Sequence, residues 1–557
     1  MCRGPEALLI TTAAQAPFRT LGEFGSLITA ADGFPRLERL ALEAKDHLWL
    51  SFRVFDPNTR LRLATEIGET WEDLLRHLLR NGVSVRVLLS DFDPVVGPEL
   101  HEGSARSAAL FSRLEVEGDI QTMMVRHEAR VGKSFRFGLW LPAARALEQQ
   151  RKAMNDMSAA ARADTFAHRP GIWRYLRMNR DGRLVWRLWR LPRLFPATFH
   201  QKVAVMDHRA AIVGGLDIDE RRFDDPSHER AADETWHDVS LHVTGDVVAD
   251  ISHHIASCWN QNRLRMKALR REQSRHAPPN GMHLTAPLRP LDLPKTGDAV
   301  DQPQGIRLLR TISVQKRRVG LRFSPETSVC EIEQAHVQAI RSAQKTIYIE
   351  TQFLRSKTIA DALAGAARRN PTVNLVLILP AAPEEIAFEN NLRLTERMGE
   401  YVQAQCLKTV QNAFGARAAI LSPVRPVSST SKDRDTLHGA EIVYVHSKVL
   451  IVDDVRCIVG SANLNGRSMR WDTEAAVECT DSAAVRALRR AVLKHWLPDG
   501  AHQDFCELED MARHWAELAH CNARRAPERR KGFLVPHDPR PAEQVGMAVP
   551  FVPVALV

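Results

Sequence analysis

The chain has 557 residues, of which 44% are hydrophobic and 26% charged, with a formal net charge of +9. That length builds a large core without disulfide or metal staples. No apolar run approaches the roughly 18 residues that cross a bilayer, which argues against a helical membrane-spanning protein. The basic excess suits an anionic partner: phosphate, nucleic acid or an acidic membrane face.

In chain order, the apolar stretch Ala7–Ile10 is too short for a signal peptide. The compartment stays open: secreted or peripheral at a membrane, with the cytoplasm as the alternative. The first core strand is expected near residue 47, where Leu48–Phe52 reads as a buried strand, and Val83–Leu89 as a second. Residues 131–195 form an insertion with Trp140, Trp173, Trp186 and Trp189 among many arginines. Such interleaving suits a lid or an interfacial surface near anionic lipid, equally a nucleic-acid groove, or a helical insertion whose tryptophans pack on the core.

A hairpin follows, Phe199 to Asp207 and on to Gly214, Gly215, Leu216 and Asp217, and then Trp236, His237 and Asp238. A Pro-rich stretch at 271–305 reads as a linker. The order then repeats. Ile347–Phe353 and Val373–Leu379 are strands, and Val445 to Asp453 runs on to Gly460, Ser461, Ala462 and Asn463, with Trp471, Asp472, Thr473 and Glu474 beyond. In both halves the histidine precedes the glycine by 14 residues and Asp217 or Asn463 by 17. The expected fold class is α/β: two duplicated halves, 1–270 and 306–557, each a mixed sheet flanked by helices, related by a pseudo-twofold axis with one shared active site.

His200 and Lys202 lie two apart on a strand and share a face, as do His446 and Lys448. Two imidazoles and two ammoniums suit a phosphodiester. The lysines neutralise the non-bridging oxygens, one imidazole attacks phosphorus, and the other protonates the leaving alkoxide. Asp207 and Asp453 complete each His-x-Lys-x4-Asp motif and are counted with the catalytic set, but their opposite parity and turn context point to turn fixing. Asp238 and Glu474 follow the two motifs as candidate orienting carboxylates for the imidazoles. Gly215, Asp217, Ser461 and Asn463 line the turn after each hairpin, where they could donate to phosphate or close the pocket. The eight cysteines show no metal spacing. No metal-ligand cluster is visible, and no cofactor is expected.

These residues resemble the signature of the phospholipase D superfamily over about 38–545. The Gly-Gly-Leu-Asp, Trp-His-Asp and Tyr348-to-Phe353 features are similar to eukaryotic-type members, here as a bare core like that of bacterial ones. Phe199 stands where many members have a second histidine. The resemblance implies hydrolysis of phosphatidylcholine-like glycerophospholipids to phosphatidate, with transfer to alcohols competing. It makes His200 the nucleophile and His446 the acid, reversibly so given the pseudo-symmetry. It implies a phospholipid partner at a membrane surface and disfavours nucleic acid; a monomer is compatible. A cardiolipin synthase-type phosphatidyltransferase, a nuclease of the same superfamily and a non-enzymatic lipid or phosphate binder are the alternatives.

Overall fold

The computed structural model describes residues 17–187, 191–282, 287–295, 304–315, 325–389, 393–431, 433–498, 500–501, 503–549 and 553–556. The first half contributes a seven-stranded sheet: β1 (Phe24–Ile28), β2 (His47–Phe52), β3 (Ser84–Asp91), β4 (Ile120–Arg126), β5 (Val203–Met206), β6 (Ala210–Gly214) and β7 (Val239–Thr244), in the spatial order β1-β7-β6-β5-β2-β3-β4. The second half contributes β8 (Ile306–Val314), β9 (Glu326–Cys330), β10 (Thr346–Glu350), β11 (Asn374–Ile378), β12 (Ala418–Ser428), β13 (Thr436–Leu437), β14 (Ala440–Ile442), β15 (Val449–Val452), β16 (Arg456–Gly460), β17 (Glu474–Cys479) and β18 (Leu534–Pro536). Within it β8-β17-β16-β15-β10-β11-β12 repeats the first order strand for strand. The directions repeat too. β2, β3 and β4 run parallel, as do β10, β11 and β12. β2 meets β5, and β10 meets β15, antiparallel.

Alternation along the strands divides the core into three layers. Leu48, Leu50, Val85 and Val87 face outward to the helices Thr29–Glu43, Trp71–Arg80 and Pro98–Arg113 of their own half. Ile347, Ile349, Leu375 and Leu377 do the same beneath Glu331–Ser342, Lys357–Arg369 and Leu394–Phe414. Trp49, Val203, Val205 and Val213 face the other way, into one cluster with Tyr348, Val449, Ile451, Val459 and Val477. A single core thus joins the halves, and each fully buried aliphatic side chain in it contributes about 1.5–3 kcal/mol. The helix Trp71–Arg80 shows how local sequence fits this plan. Trp71, Leu74, Leu75, Leu78 and Leu79 make one buried stripe, and Thr70 with Asp73 closes a capping box at its start.

Three expectations shift. The first sheet begins at β1, well before residue 47, with β1 pairing β7 from Phe24↔Val243 to Ile28↔Val239. The Pro-rich stretch starts only after the long helix Val247–Ser274, and its described part packs back on that helix. Trp259 Nε1 donates to the Arg289 carbonyl at 2.8 Å, and Leu288 and Leu291 enter the central core. In the insertion, Trp173 is buried and donates to the Phe166 carbonyl at 2.7 Å, while Trp186 donates to Glu148 at 2.9 Å. Those two pack inward. Trp140 instead lies at the surface beside Phe137, Leu139 and Leu141. Trp189 lies outside the described residues.

Candidate active site

Each motif histidine sits just before its hairpin, on a segment that pairs with the opposite half. Trp236–His237 runs parallel to Tyr444–Val445, and the His237 carbonyl accepts from the amides of His446 (2.8 Å) and Ser447 (3.1 Å). The arrangement repeats across the pseudo-axis: the Thr473 carbonyl accepts from the amides of His200 (2.9 Å) and Gln201 (3.0 Å). Asp472 Oδ1 also accepts from the Thr198 amide at 2.7 Å.

This strand exchange sets the orienting contacts. His446 Nδ1 lies 2.6 Å from Asp238 Oδ2, in the other half. His200 Nδ1 lies 3.1 Å from Glu474 Oε2 and 3.2 Å from the Ser461 carbonyl oxygen. A carbonyl oxygen only accepts, so His200 Nδ1 carries the proton and Nε2 keeps its lone pair. Each acid therefore serves the histidine of the opposite half rather than the motif it follows in sequence.

The lysines back onto the same segments. Lys202 Nζ donates to the His200 carbonyl at 2.7 Å, and Lys448 Nζ donates to the His446 carbonyl. Burial pushes Lys202 down to about 8 and Lys448 down to about 7. Burial, then the nearby cations, also pulls both imidazoles well below their ordinary value; Lys448 acts on His200, and Lys202 on His446. The four groups feel one another across the axis, as members of one site do. Burial raises Asp238 to about 6, and burial with Asp472 nearby raises Glu474 to about 8.

The turn residues differ between the two halves in what they contact. Asp217 is buried and accepts from Arg222 at 2.6 Å and from the Val54 amide at 2.9 Å, with Lys202 Nζ at 3.6 Å. An acceptor-only carboxylate repels a phosphate, so Asp217 is a counter-ion for the basic groups. Its counterpart Asn463 is uncharged and nearly buried, with Oδ1 unpaired. Gly215 makes room: a Cβ there would meet Asp238 Oδ1 at 2.1 Å. Its counterpart Ser461 instead donates to Glu474 Oε2 at 2.5 Å.

Asp207 and Asp453 stand at the far ends of β5 and β15, a whole strand from the imidazoles. Asp207 accepts from the amides of Lys45, Asp46 and His47 at 2.7–2.9 Å. Asp453 accepts from those of Gln344, Lys345 and Thr346 at 2.7–2.8 Å. Both take the left-handed conformation, φ 49° and 51°. Grouping them with the catalytic set is corrected: they pin the start of β2 and β10 and lie too far along the strand to meet substrate.

Two contributors escaped sequence reading. Arg53, just after β2, lies over the Phe92 ring and acts electrostatically on His200. Glu350, at the end of β10, accepts from Ser447 Oγ (2.6 Å), Tyr348 OH (2.5 Å) and Trp496 Nε1 (2.9 Å), and contacts His237 Nε2 at 2.9 Å. Its sequence signals were its place in the Tyr348-to-Phe353 run and an acid closing an apolar strand, neither of which assigns it these partners.

A family model described as "Cardiolipin synthase, PLD-like domain" matches residues 336–496. Phospholipase D1 of Saccharomyces cerevisiae is 26% identical over 361 residues, covering 52% of this chain and 20% of that protein. Human phospholipase D1 is 27% identical over 277 residues, covering 45% of this chain and 24% of that protein. The chain thus spans a quarter or less of these two relatives. Among solved structures, phosphatidylserine synthase of Haemophilus influenzae Rd KW20 aligns over 86% of this chain and 87% of its own, with TM-score 0.48 and 13% identity. The matching PLD-like domain model and the phospholipase D relatives, together with the twin motifs on a repeated sheet, support the phospholipase D superfamily for this chain.

Proposed function

We propose that the protein is a phospholipase D that hydrolyses glycerophospholipids to phosphatidate and a free head group. The observation that carries this reading is the exchanged pairing of His200 with Glu474 and His446 with Asp238, which leaves both Nε2 atoms for a phosphate flanked by Lys202 and Lys448. His200 Nε2 attacks phosphorus, and the P–O bond to the head group breaks. His446, as imidazolium, gives its Nε2 proton to the departing alkoxide. Water then loses a proton to His446 and attacks the phosphohistidine, and the P–N bond breaks to release phosphatidate. The lysines balance the equatorial charge that builds in both steps.

The two acids favour this assignment over its reverse. Asp238, at about 6, is mostly ionised at neutral pH and steadies an imidazolium at His446. Glu474, at about 8, is mostly neutral there and leaves His200 uncharged and nucleophilic. A bound phosphodiester adds negative charge beside His446 and raises it toward the protonated form its role requires.

Transfer to an alcohol acceptor is the second reading, favoured by the description of the matching family model. A phosphohistidine opens to an alcohol as readily as to water once the acceptor reaches phosphorus. Phe137, Leu139, Trp140 and Leu141, all exposed near Lys133 and Arg136, support docking at an anionic lipid surface. No helix among the described residues is long and apolar enough to cross a membrane.

The test measures choline release from phosphatidylcholine vesicles, phosphatidylalcohol formation with added primary alcohol, cardiolipin formation from phosphatidylglycerol, and plasmid cleavage without metal. Head-group release with alcohol capture supports the reading. Activity confined to phosphatidylglycerol or DNA overturns it.

A further inference from the structure

Three histidines from distant parts of the chain converge behind the segment that carries His446. His228 lies in the loop after β6, His237 precedes β7, and His495 ends the helix Ser482–Trp496 of the second half. One ring nitrogen from each lies within 4.8 Å of the other two, and His228 Nε2 is 3.0 Å from His495 Nε2. No pair of them has a ligand spacing legible in sequence, which is why no cluster was expected.

Their outer nitrogens are tied down. His228 Nδ1 lies 2.7 Å from Asp224 Oδ2, and His237 Nε2 lies 2.9 Å from Glu350 Oε2. Asp224, His228, His237 and Glu350 are all fully buried. An imidazole whose far N–H donates to a carboxylate has its other lone pair fixed in direction, as metal-ligating histidines do. His237 Nδ1, the nitrogen left over, has no hydrogen-bond partner although it is buried. A buried polar atom left unpaired costs about 1–3 kcal/mol. A contact between His228 and His495 alone satisfies those two rings and leaves His237 Nδ1 bare.

We propose that His228, His237 and His495 bind a divalent transition-metal ion, with zinc the best match and water completing four-coordination. Zinc holds imidazole nitrogens at about 2.0–2.1 Å, which sets them about 3.3 Å apart in a tetrahedron. The 3.0 Å pair and the 4.8 Å limit bracket that spacing. Three neutral imidazoles supply no charge, and the two outer carboxylates, Asp224 and Glu350, balance the dication. A cavity of about 1160 Å³, lined by Pro226, Lys494, His495 and Phe533 among others, gives the ion a way in.

The site joins two residues of the first half to one of the second, next to the second motif. The His237 carbonyl holds the His446 and Ser447 amides, and Glu350 holds both His237 and the Ser447 hydroxyl. The ion therefore stiffens the support of His446 without touching substrate. The inference does not depend on which phosphodiester is cleaved.

The experiment strips the full-length chain with a chelator and titrates it with Zn²⁺ and, separately, Co²⁺. The expected result is one equivalent of zinc retained through gel filtration, a thermal midpoint raised by several degrees, and the intense visible bands of four-coordinate cobalt. His228→Gln and His495→Gln lose the retained ion and the thermal gain. Should either fail to fold, His495→Cys keeps the ion and adds a thiolate-to-cobalt charge-transfer band. A folded native chain that retains no stoichiometric ion, or an ion unmoved by these substitutions, overturns the proposal.

Discussion

His446 is oriented by Asp238, a residue 208 positions earlier and in the opposite half, through a 2.6 Å contact at Nδ1. The reciprocal contact runs from Glu474 to His200. Asp238→Asn should lower kcat by about 10²–10⁴-fold while leaving the fold intact, because an amide removes the charge and permits the wrong tautomer. Glu474→Gln should cost much less, because Glu474 is already mostly neutral and the Ser461 carbonyl still holds the His200 tautomer. Asp238→Asn should also displace the alkaline limb of the kcat profile to lower pH, since Asp238 stabilises the protonated form of His446 that gives up the proton. Steady-state kinetics across pH check both; an unmoved limb would reverse the roles of the two histidines.

His200→Asn and His446→Asn should each abolish turnover, but differently. With radiolabelled phospholipid, His446→Asn should still accumulate label on the protein from a substrate with a good leaving group. His200→Asn should accumulate none. Acid quench and peptide mapping locate the label.

The lysines predict an alkaline limit. With Lys448 near 7 and Lys202 near 8, raising pH through that window removes the charges that face the phosphate. The value of kcat/KM, which reports the free enzyme, should therefore fall as pH rises above about 7. Stability should move the other way. A lysine lowered on folding binds fewer protons than in the unfolded chain between its folded value and about 10.4, so stability rises with pH across that range. Urea titrations at pH 7 and pH 9 check the sign.

Gly215→Ala should be far more damaging than Ser461→Gly. The added methyl would fall 2.1 Å from Asp238 Oδ1 and drive that carboxylate off His446. Ser461→Gly removes one hydroxyl from Glu474 and keeps the backbone carbonyl that fixes the His200 tautomer. A kcat loss of about 10²-fold is expected for the first, from misplaced general-acid support, and much less for the second. Kinetics on the two purified variants decide it.

Asp207→Ala should cost stability rather than catalysis. Against the opposing effect of burial, three amides hold its carboxyl below the usual range, so its contribution is present above about pH 4 and lost as pH falls through its folded value. Losing one acceptor and leaving those donors unpaired should cost about 1–3 kcal/mol, with kcat of the folded fraction unchanged. Denaturant unfolding and active-site titration separate the two effects.

The duplication was legible because matched spacing fixes matched hairpins, and His200 with Lys202 and His446 with Lys448 follow from strand parity alone. Which acid meets which histidine was not legible. Asp238 and Glu474 follow their own motifs in sequence, but the segments carrying them cross the pseudo-axis, and no local period encodes a crossing. Asp217 and Asn463 were visible as equivalent positions, yet only the packing of Arg222 and Lys202 shows that one is a counter-ion. The tryptophans of 131–195 shared one pattern in sequence, and burial then divided the described ones, with Trp173 and Trp186 turned inward and Trp140 at the surface.

The single core and the crossed acids bind the history of the two halves together. A change near His200 is felt by Glu474, and a change near His446 by Asp238, so neither copy can drift alone where the chains cross. Divergence is free where contacts stay within one half. There positions have parted, as aspartate against asparagine at 217 and 463, where Asp217 meets Arg222 and the Val54 amide of its own half. The two copies have become unequal neighbours that must still be inherited as one unit.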